Sequence, residues 1–186
     1  MAQFRVPGIF KSDSDEALLR AFSKGDTEAF DTLYLRHKDS LDNFIFRSLA
    51  QFAPAEEIAQ EVWMAVIAQS ATYKPSAAFR TWLYRIASNK VADFYRRKVN
   101  SPGDELDTTN EEFAAEQLDP AERVLLEQLL AALSELPEEQ RITFVLQQEG
   151  FSHRKIAEIT GVGTETVKSR LRYARSATRV RMELKA

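Results

Sequence analysis

The chain has 186 residues, 44% of them hydrophobic and 28% charged, with a formal net charge of -3 at pH 7, enough apolar material for one packed domain or two small ones. It holds no cysteine and two histidines, which excludes a disulfide framework and a thiolate zinc site and leaves little material for metal chemistry. No apolar run approaches the roughly 18 residues of a membrane-spanning helix, and residues 1–10 carry only short apolar clusters broken by Arg5, Pro7 and Gly8. Neither membrane insertion nor a signal peptide is therefore expected, and the expected compartment is a reducing cytoplasm.

In chain order the periodicity is helical, with no alternating strand of useful length, so the expected fold class is all-α. Asp13 or Ser14 can cap a first helix bearing Leu18, Leu19 and Phe22, and Gly25-Asp26 ends it,. Asp26 can start a long second helix, on which Phe30, Leu33, Tyr34, Leu41, Phe44, Ile45 and Leu49 recur as a buried stripe would,. Pro54 marks a break. A third helix is expected from about Ala55 to Ser70, a loop around Tyr73 to Ser76, and a fourth helix from about Ala78 to Lys98,. Residues 99–119 are rich in acids, with Pro102 and Gly103, and carry too few large apolar side chains to offset ordering entropy, so they read as a flexible acidic linker,. A second domain begins at Pro120. Val124, Leu125, Leu129, Leu130 and Leu133 form one amphipathic helix, Leu136-Pro137 ends it, and Glu138 to Gln148 form the next,.

Residues Phe151 to Arg179 then read as a helix-turn-helix. Ile156, Ala157 and Ile159 give its first helix an apolar side, and Gly161 permits the turn,. Thr164 can cap a second helix with Val167, Leu171 and Ala174 inward,. Lys168, Arg172, Arg175 and Arg179 follow a second stripe, placed to face phosphates when such a helix enters a major groove.

The net charge conceals segregation. Lys74 to Lys98 hold seven basic residues against Asp93, Asp104 to Gln140 hold twelve acidic residues against Arg123, and Arg141 to the end hold ten basic against four acidic. Two cationic segments separated by an acidic one suggest two nucleic-acid contacts. The first lies where Phe79-Arg80-Thr81-Trp82-Leu83-Tyr84-Arg85 interleaves aromatics with arginines and runs on through Asn89, Lys90, Asp93, Phe94, Tyr95, Arg96 and Arg97. Aromatics stack on unpaired bases at roughly 1–3 kcal/mol each, so the pattern suits single-stranded or melting DNA better than duplex. Phe79, Trp82, Leu83 and Ile86 share one side, and most of those positions are expected to pack. The helix before it carries Ile58, Val62 and Val66 inward and Glu57, Gln60 and Glu61 on another side.

This order of parts resembles the extracytoplasmic-function (ECF, group IV) sigma factors of the sigma-70 family, the small two-domain initiation factors of bacterial RNA polymerase. The resemblance runs from about Asp13 to Met182. It is carried by Gly25-Asp26 followed by Ala29-Phe30 and Leu33-Tyr34, the Ala55-Glu56-Glu57 to Gln60-Glu61 helix, Phe79 with Trp82-Leu83, Asn89, Asp93, Leu136-Pro137, and Thr166-Val167-Lys168-Ser169-Arg170-Leu171. It implies a sigma-two-like domain (1–98), a linker (99–119) and a sigma-four-like domain (120–186).

In this resemblance Glu57, Gln60 and Glu61 would contact a coiled coil of the largest polymerase subunit, beta-prime, within a core enzyme whose beta subunit is also a partner. Tyr73, Lys74, Ser76, Phe79, Arg80, Trp82, Arg85, Asn89, Lys90, Asp93, Arg96 and Arg97 would melt and hold the minus-ten element, with a flipped base near the Tyr73 to Ser76 loop. Arg154, Thr164, Glu165, Thr166, Lys168, Ser169, Arg170, Arg172 and Arg175 would read the minus-thirty-five duplex. An anti-sigma factor clamping both domains is implied as a further partner. Glu57 stands where the family often has Asp, His153-Arg154-Lys155 where an acidic residue is common, and Glu165 where glycine is common, so the preferred minus-thirty-five sequence cannot be borrowed.

Two rival readings remain. A helix-turn-helix regulator with an N-terminal helical sensor or dimerisation domain explains the second domain but not the basic-aromatic helix. An enzyme has little support. His37, on a polar stretch of the long helix, and His153 read as surface or capping residues, and neither has a nucleophile or metal-ligand spacing around it,. The six glycines form no phosphate-cradling loop, and no cofactor is expected,.

Overall fold

The computed structural model describes residues 13–50, 53–73, 78–100 and 119–183, and among these are eight α-helices and no strand. The acidic linker and residues 74–77 lie outside the described residues. Helix α1 (Asp15–Phe22) begins at Ser14, whose Oγ accepts the Ala17 N–H at 3.2 Å. Gly25, at φ 99°, turns the chain. Asp26 then caps α2 (Thr27–Leu49) by accepting the Ala29 N–H at 3.3 Å. The expected stripe on α2 is buried at Leu33, Leu41, Phe44, Ile45 and Leu49, and Ala50 ends the helix in the left-handed region at φ 53°.

Helix α3 (Ala53–Gln69) starts two residues before the expected Ala55. Pro54 sits in its first turn, where a missing N–H interrupts no helical bond, so the proline opens the helix instead of breaking the chain. Helix α4 (Phe79–Asn100) packs on α2 and α3 through Leu83, Ala87 and Val91. Its first amide is held from afar: the Phe79 N–H donates to Glu16 Oε1 of α1 at 2.8 Å.

His37 proves to be buried rather than a surface residue, at 6% exposure. Its Nε2 lies 2.8 Å from Asp15 Oδ2, while Arg36 Nη1 donates to Asp15 Oδ1 at 2.6 Å. Burial pushes the Asp15 pKa up, but the bonds from His37 and Arg36 outweigh it and hold the carboxyl below its ordinary value. A carboxylate reaching across from α1 is what makes the polar stretch of α2 an interior one.

The second domain comprises α5 (Pro120–Ser134), α6 (Glu138–Gln148), α7 (His153–Thr160) and α8 (Thr164–Glu183). Leu133, Leu136, Val145, Leu146, Ile156, Ile159, Val167, Leu171 and Ala174 close its core. The expected stripe on α5 is buried only near its C-terminus, since Val124 and Leu125 are 51% and 60% exposed. Periodicity shows which residues share a side, not how far along the helix a neighbour covers it. Helices α6 and α7 lie against α2 and α4, so the two domains touch.

Glu16→Ala should lower stability by about 1 kcal/mol near neutral pH, the usual effect of losing a side-chain acceptor at a helix start. The Phe79 N–H holds the Glu16 carboxyl below its ordinary 4.5. Its contribution is therefore complete above that value and disappears as the pH falls through the lower folded value. Urea titrations of both proteins near pH 7 and about pH 3 check this, and an equal difference at the two pH values would refute it.

Candidate nucleic-acid interface

Helix α4 has two distinct sides besides the one packed in the core. Trp82, Arg85, Asn89, Asp93 and Arg96 follow at spacings of three and four and form one stripe,. Arg85, Asn89 and Arg96 are exposed, while Trp82 and Asp93 are half-buried, and Arg96 pairs with Asp93. Tyr73 packs on Trp82 with ring centroids 4.8 Å apart, which places the end of the preceding segment over the start of α4. Lys74 and Ser76, also expected here, lie outside the described residues.

Two expected DNA contacts are not on this stripe. Phe79 is 0% exposed, its ring 5.3 Å from His37 and 5.9 Å from Trp82, so it belongs to the core. As the first residue of α4 it is turned inward by the bond to Glu16. Arg80 leaves the helix on the far side from Trp82 and is engaged with the second domain.

Helix α3 stands beside α4. Glu57 and Gln60 are exposed, with Met64 near them on the same side. Glu61 faces α4, its Oε2 accepting from Lys90 Nζ at 2.8 Å and its Oε1 lying 3.8 Å from Arg97. One expected polymerase contact thus neutralises two expected DNA contacts.

In the helix-turn-helix, Ser152 caps α7 by accepting the Lys155 N–H. Gly161, at φ 69°, ends α7 in the left-handed conformation, its N–H bonded to the Ala157 carbonyl. Thr164 is the first helical residue of α8 rather than the cap before it. With Val167, Leu171 and Ala174 buried, α8 presents Thr164, Glu165, Thr166, Lys168, Arg172 and Arg175 outward, while Ser169 is half-buried. Arg154 on α7 is exposed. Lys168 pairs with Glu165 at 2.7 Å, and Arg175 donates to Gln147 Oε1 at 2.8 Å. Arg170, expected to reach DNA, is turned to Glu139 on α6, with its side chain 16% exposed. His153 lies 3.3 Å from Gln147.

The two domains meet on the far side of α4. Arg80 Nη2 donates to the Glu149 carbonyl at 2.6 Å, and the guanidinium lies 4.3 Å from the Phe151 ring centroid. The Tyr84 hydroxyl donates to Glu149 Oε2 at 3.2 Å, and the Tyr84 and Phe151 rings meet edge-on at 4.9 Å. Farther along α4, the Arg141 guanidinium lies 4.9 Å from the Tyr95 ring centroid, and the Tyr95 hydroxyl donates to the Leu49 carbonyl at 2.7 Å. Burial pushes the Tyr95 phenol up to about 12, against the opposing pull of Arg141. Sequence reasoning missed Glu149, and it counted Arg141 only as the first charge of a basic segment. Neither has a local signal, because both act on a helix more than 40 residues away.

The sigma-70 region 2 family matches residues 33–100, and the sigma-70, region 4 family matches residues 126–177. The chain belongs to the sigma-70 family. It is similar to the RNA polymerase sigma-H factor of Pseudomonas aeruginosa, 29% identical over 182 residues that cover 91% of this chain and 94% of that protein. The ECF RNA polymerase sigma-E factor of Escherichia coli K12 is 28% identical over 176 residues, 88% of this chain and 92% of that one. The fold matches CnrH, solved in complex with the cytosolic domain of CnrY, at TM-score 0.72 and 24% identity over 94% of this chain and 100% of that one. It also matches the Bartonella quintana sigma factor RpoE, solved with the anti-sigma factor NepR, at TM-score 0.66 and 21% identity over 84% and 98%. With both regions present in order, it is a sigma factor of the extracytoplasmic-function type, and it directs core RNA polymerase to promoters and initiates transcription. The regulator reading is not favoured. Among the described residues no helix is long and apolar enough to cross a membrane, and no cluster of three or more His, Asp or Glu side chains could hold a metal ion.

Proposed function

We propose that residues 1–98 bind core polymerase and open the minus-ten element, residues 99–119 tether, and residues 120–186 read the minus-thirty-five element. The observation that carries this division is the open stripe of α4, which bears an indole and guanidinium groups opposite a helix side occupied by protein. Trp82 offers a ring to an unpaired base, with Tyr73 behind it. Arg85, Asn89, Lys90, Asp93, Arg96 and Arg97 follow the strand, together with Lys74 and Ser76 before the helix. On α8, Thr164, Glu165, Thr166, Lys168 and Ser169 meet base edges and phosphates first, and Arg172 and Arg175 extend the contact along the backbone with Arg154. Arg170 instead holds α8 to α6.

Glu57 and Gln60 form the accessible part of the polymerase contact, with Glu61 at its edge against α4. The sigma factor performs no catalysis of its own, because differential binding to the melted strand supplies the free energy of opening. It acts in the cytoplasm, where core polymerase is found. The solved likenesses in complex with CnrY and NepR support an anti-sigma factor as a further partner.

Run-off transcription with purified core polymerase on genomic fragments tests the reading and yields the promoter, and no transcript above core alone would overturn it. Glu57→Lys should abolish co-purification with core polymerase while leaving the helical content unchanged; retained co-purification would mean that this side of α3 is only solvated. On that promoter, replacing Arg172 and Arg175 together by Ala should weaken holoenzyme binding and lower the slope of log K against log salt by about 0.9 for each phosphate that the arginines neutralise. An unchanged slope would remove those two arginines from the interface.

A further inference from the structure

We infer that Glu165 and Lys168 act as one unit that makes the minus-thirty-five readout select a C·G base pair, Glu165 accepting from cytosine N4 and Lys168 donating to guanine. The inference rests on the assignment of α8 to that element and names the base pair read there. Residues 164–182 hold one acid, Glu165, among six basic residues. Thr164 is the first helical residue, so Glu165 stands in the first turn of α8, and the N-terminal residues of a helix lying in a major groove are those that meet base edges. At 100° per residue, Glu165, Lys168, Arg172 and Arg175 fall within about 80° around the helix. The acid therefore shares the side of the cations instead of a separate solvated one. Its side chain is 83% exposed and that of Lys168 56%, and Lys168 Nζ donates to Glu165 Oε1 at 2.7 Å.

The chemistry of the pair selects the base. An ionised carboxylate only accepts hydrogen bonds, and phosphate oxygens are acceptors too, so the DNA backbone offers Glu165 no partner. In the major groove the donors are cytosine N4 and adenine N6. Adenine sets its acceptor N7 beside N6, an edge that suits an amide with one donor and one acceptor and opposes the second oxygen of a carboxylate. Cytosine has no acceptor beside N4 on that edge, and its partner guanine presents O6 and N7, both acceptors. Lys168 carries three donors, one of them used toward Glu165. The ion pair thus offers an acceptor beside donors to an edge that offers a donor beside acceptors. As an exposed pair it is weak in water and re-forms around a base edge at little cost. Three residues of helix rise about 4.5 Å, close to the ~3.4 Å of one base-pair step, so both side chains can reach the same pair. An acid in a first turn also suits the positive end of a helix, but that role is indifferent to DNA sequence.

A duplex library with the minus-thirty-five element randomised, upstream of the minus-ten element of a promoter found by run-off transcription, tests this with holoenzyme assembled from core polymerase and the full chain. Bound DNA is sequenced. The unaltered protein should enrich C·G over the other pairs at one position by roughly 5- to 150-fold, the range that a good contact to a base edge gives. Glu165→Gln, which supplies an amide of the same length, should move the preference at that position to A·T and leave the other positions as they were. Glu165→Ala should flatten that position alone, and Lys168→Met should reduce its C·G enrichment several-fold. Both side chains are exposed, so the fold does not depend on them. An unchanged preference in all three variants, a pair other than C·G at the position the variants alter, or a loss spread evenly over every position, as a helix-dipole role predicts, would each overturn the inference. If the unaltered holoenzyme enriches no minus-thirty-five sequence at all, the assignment of α8 falls with it. An enriched element indifferent to Glu165 removes this inference and leaves that assignment standing.

Discussion

Two adjacent carboxylates of α1 tie the first domain together. Glu16 accepts the first amide of α4, and its neighbour Asp15 is held by Arg36 and His37 of α2. Helix α1 therefore works as a clip between the two longest helices of its domain. That bond marks where α4 starts, and the burial of Phe79, Leu83, Ala87 and Val91 fixes its rotation, since each residue advances the helix by about 100°. A shift by one would bring Leu83 where Trp82 stands and turn Tyr84 off the second domain. The open stripe, the packed side and the flank toward the second domain all follow from that register.

Much of this was legible in the sequence. The caps at Ser14 and Asp26, the turn at Gly161 and the buried stripes on α2 and α8 are local, because each is settled by residues three or four apart. What was illegible is whatever a distant segment decides. The sequence places Phe79 and Trp82 on one side of a helix, but only Glu16 and the α2 ring beside it show that the first is core and the second remains half-open. His37 reads as polar surface until Asp15 arrives from α1. Val124 and Leu125 read as buried until α5 is seen without cover along that part. On the stripes proposed to read DNA, Arg85, Asn89, Lys168 and Arg172 are exposed, whereas the sequence does not distinguish Arg80 and Arg170 from them, since an arginine's spacing does not reveal which acid it meets.

Counting charges gives the sign of each segment's field but overstates how much of it is unengaged. Lys90 and Arg97 share Glu61, Lys168 has Glu165, and Arg175 has Gln147. Such partly exposed pairs contribute under about 1 kcal/mol, little against a phosphate that releases a counterion on binding. The pairs hold the side chains extended along the surface without withdrawing them from it. Glu61 has a further effect, because its place between α3 and α4 means that a charge brought to α3 would also alter the potential along α4.

The contact between domains adds polar groups to an apolar one, since the buried residues of both domains form one hydrophobic cluster. A core is sealed with Leu, Ile and Val, as at Leu83 and Val91 or at Ile156 and Val167, and cannot be opened without exposing apolar surface at about 25 cal/mol per Å². Between the domains stand Arg80, Tyr84, Tyr95, Arg141 and Glu149, each with a polar tip that water can satisfy. Leucines at 84 and 141 would bind the domains more tightly and leave a sticky patch on each when they parted. Rings and guanidinium groups instead give the contact a specific shape. Apolar burial and polar tips thus act together where the two domains meet.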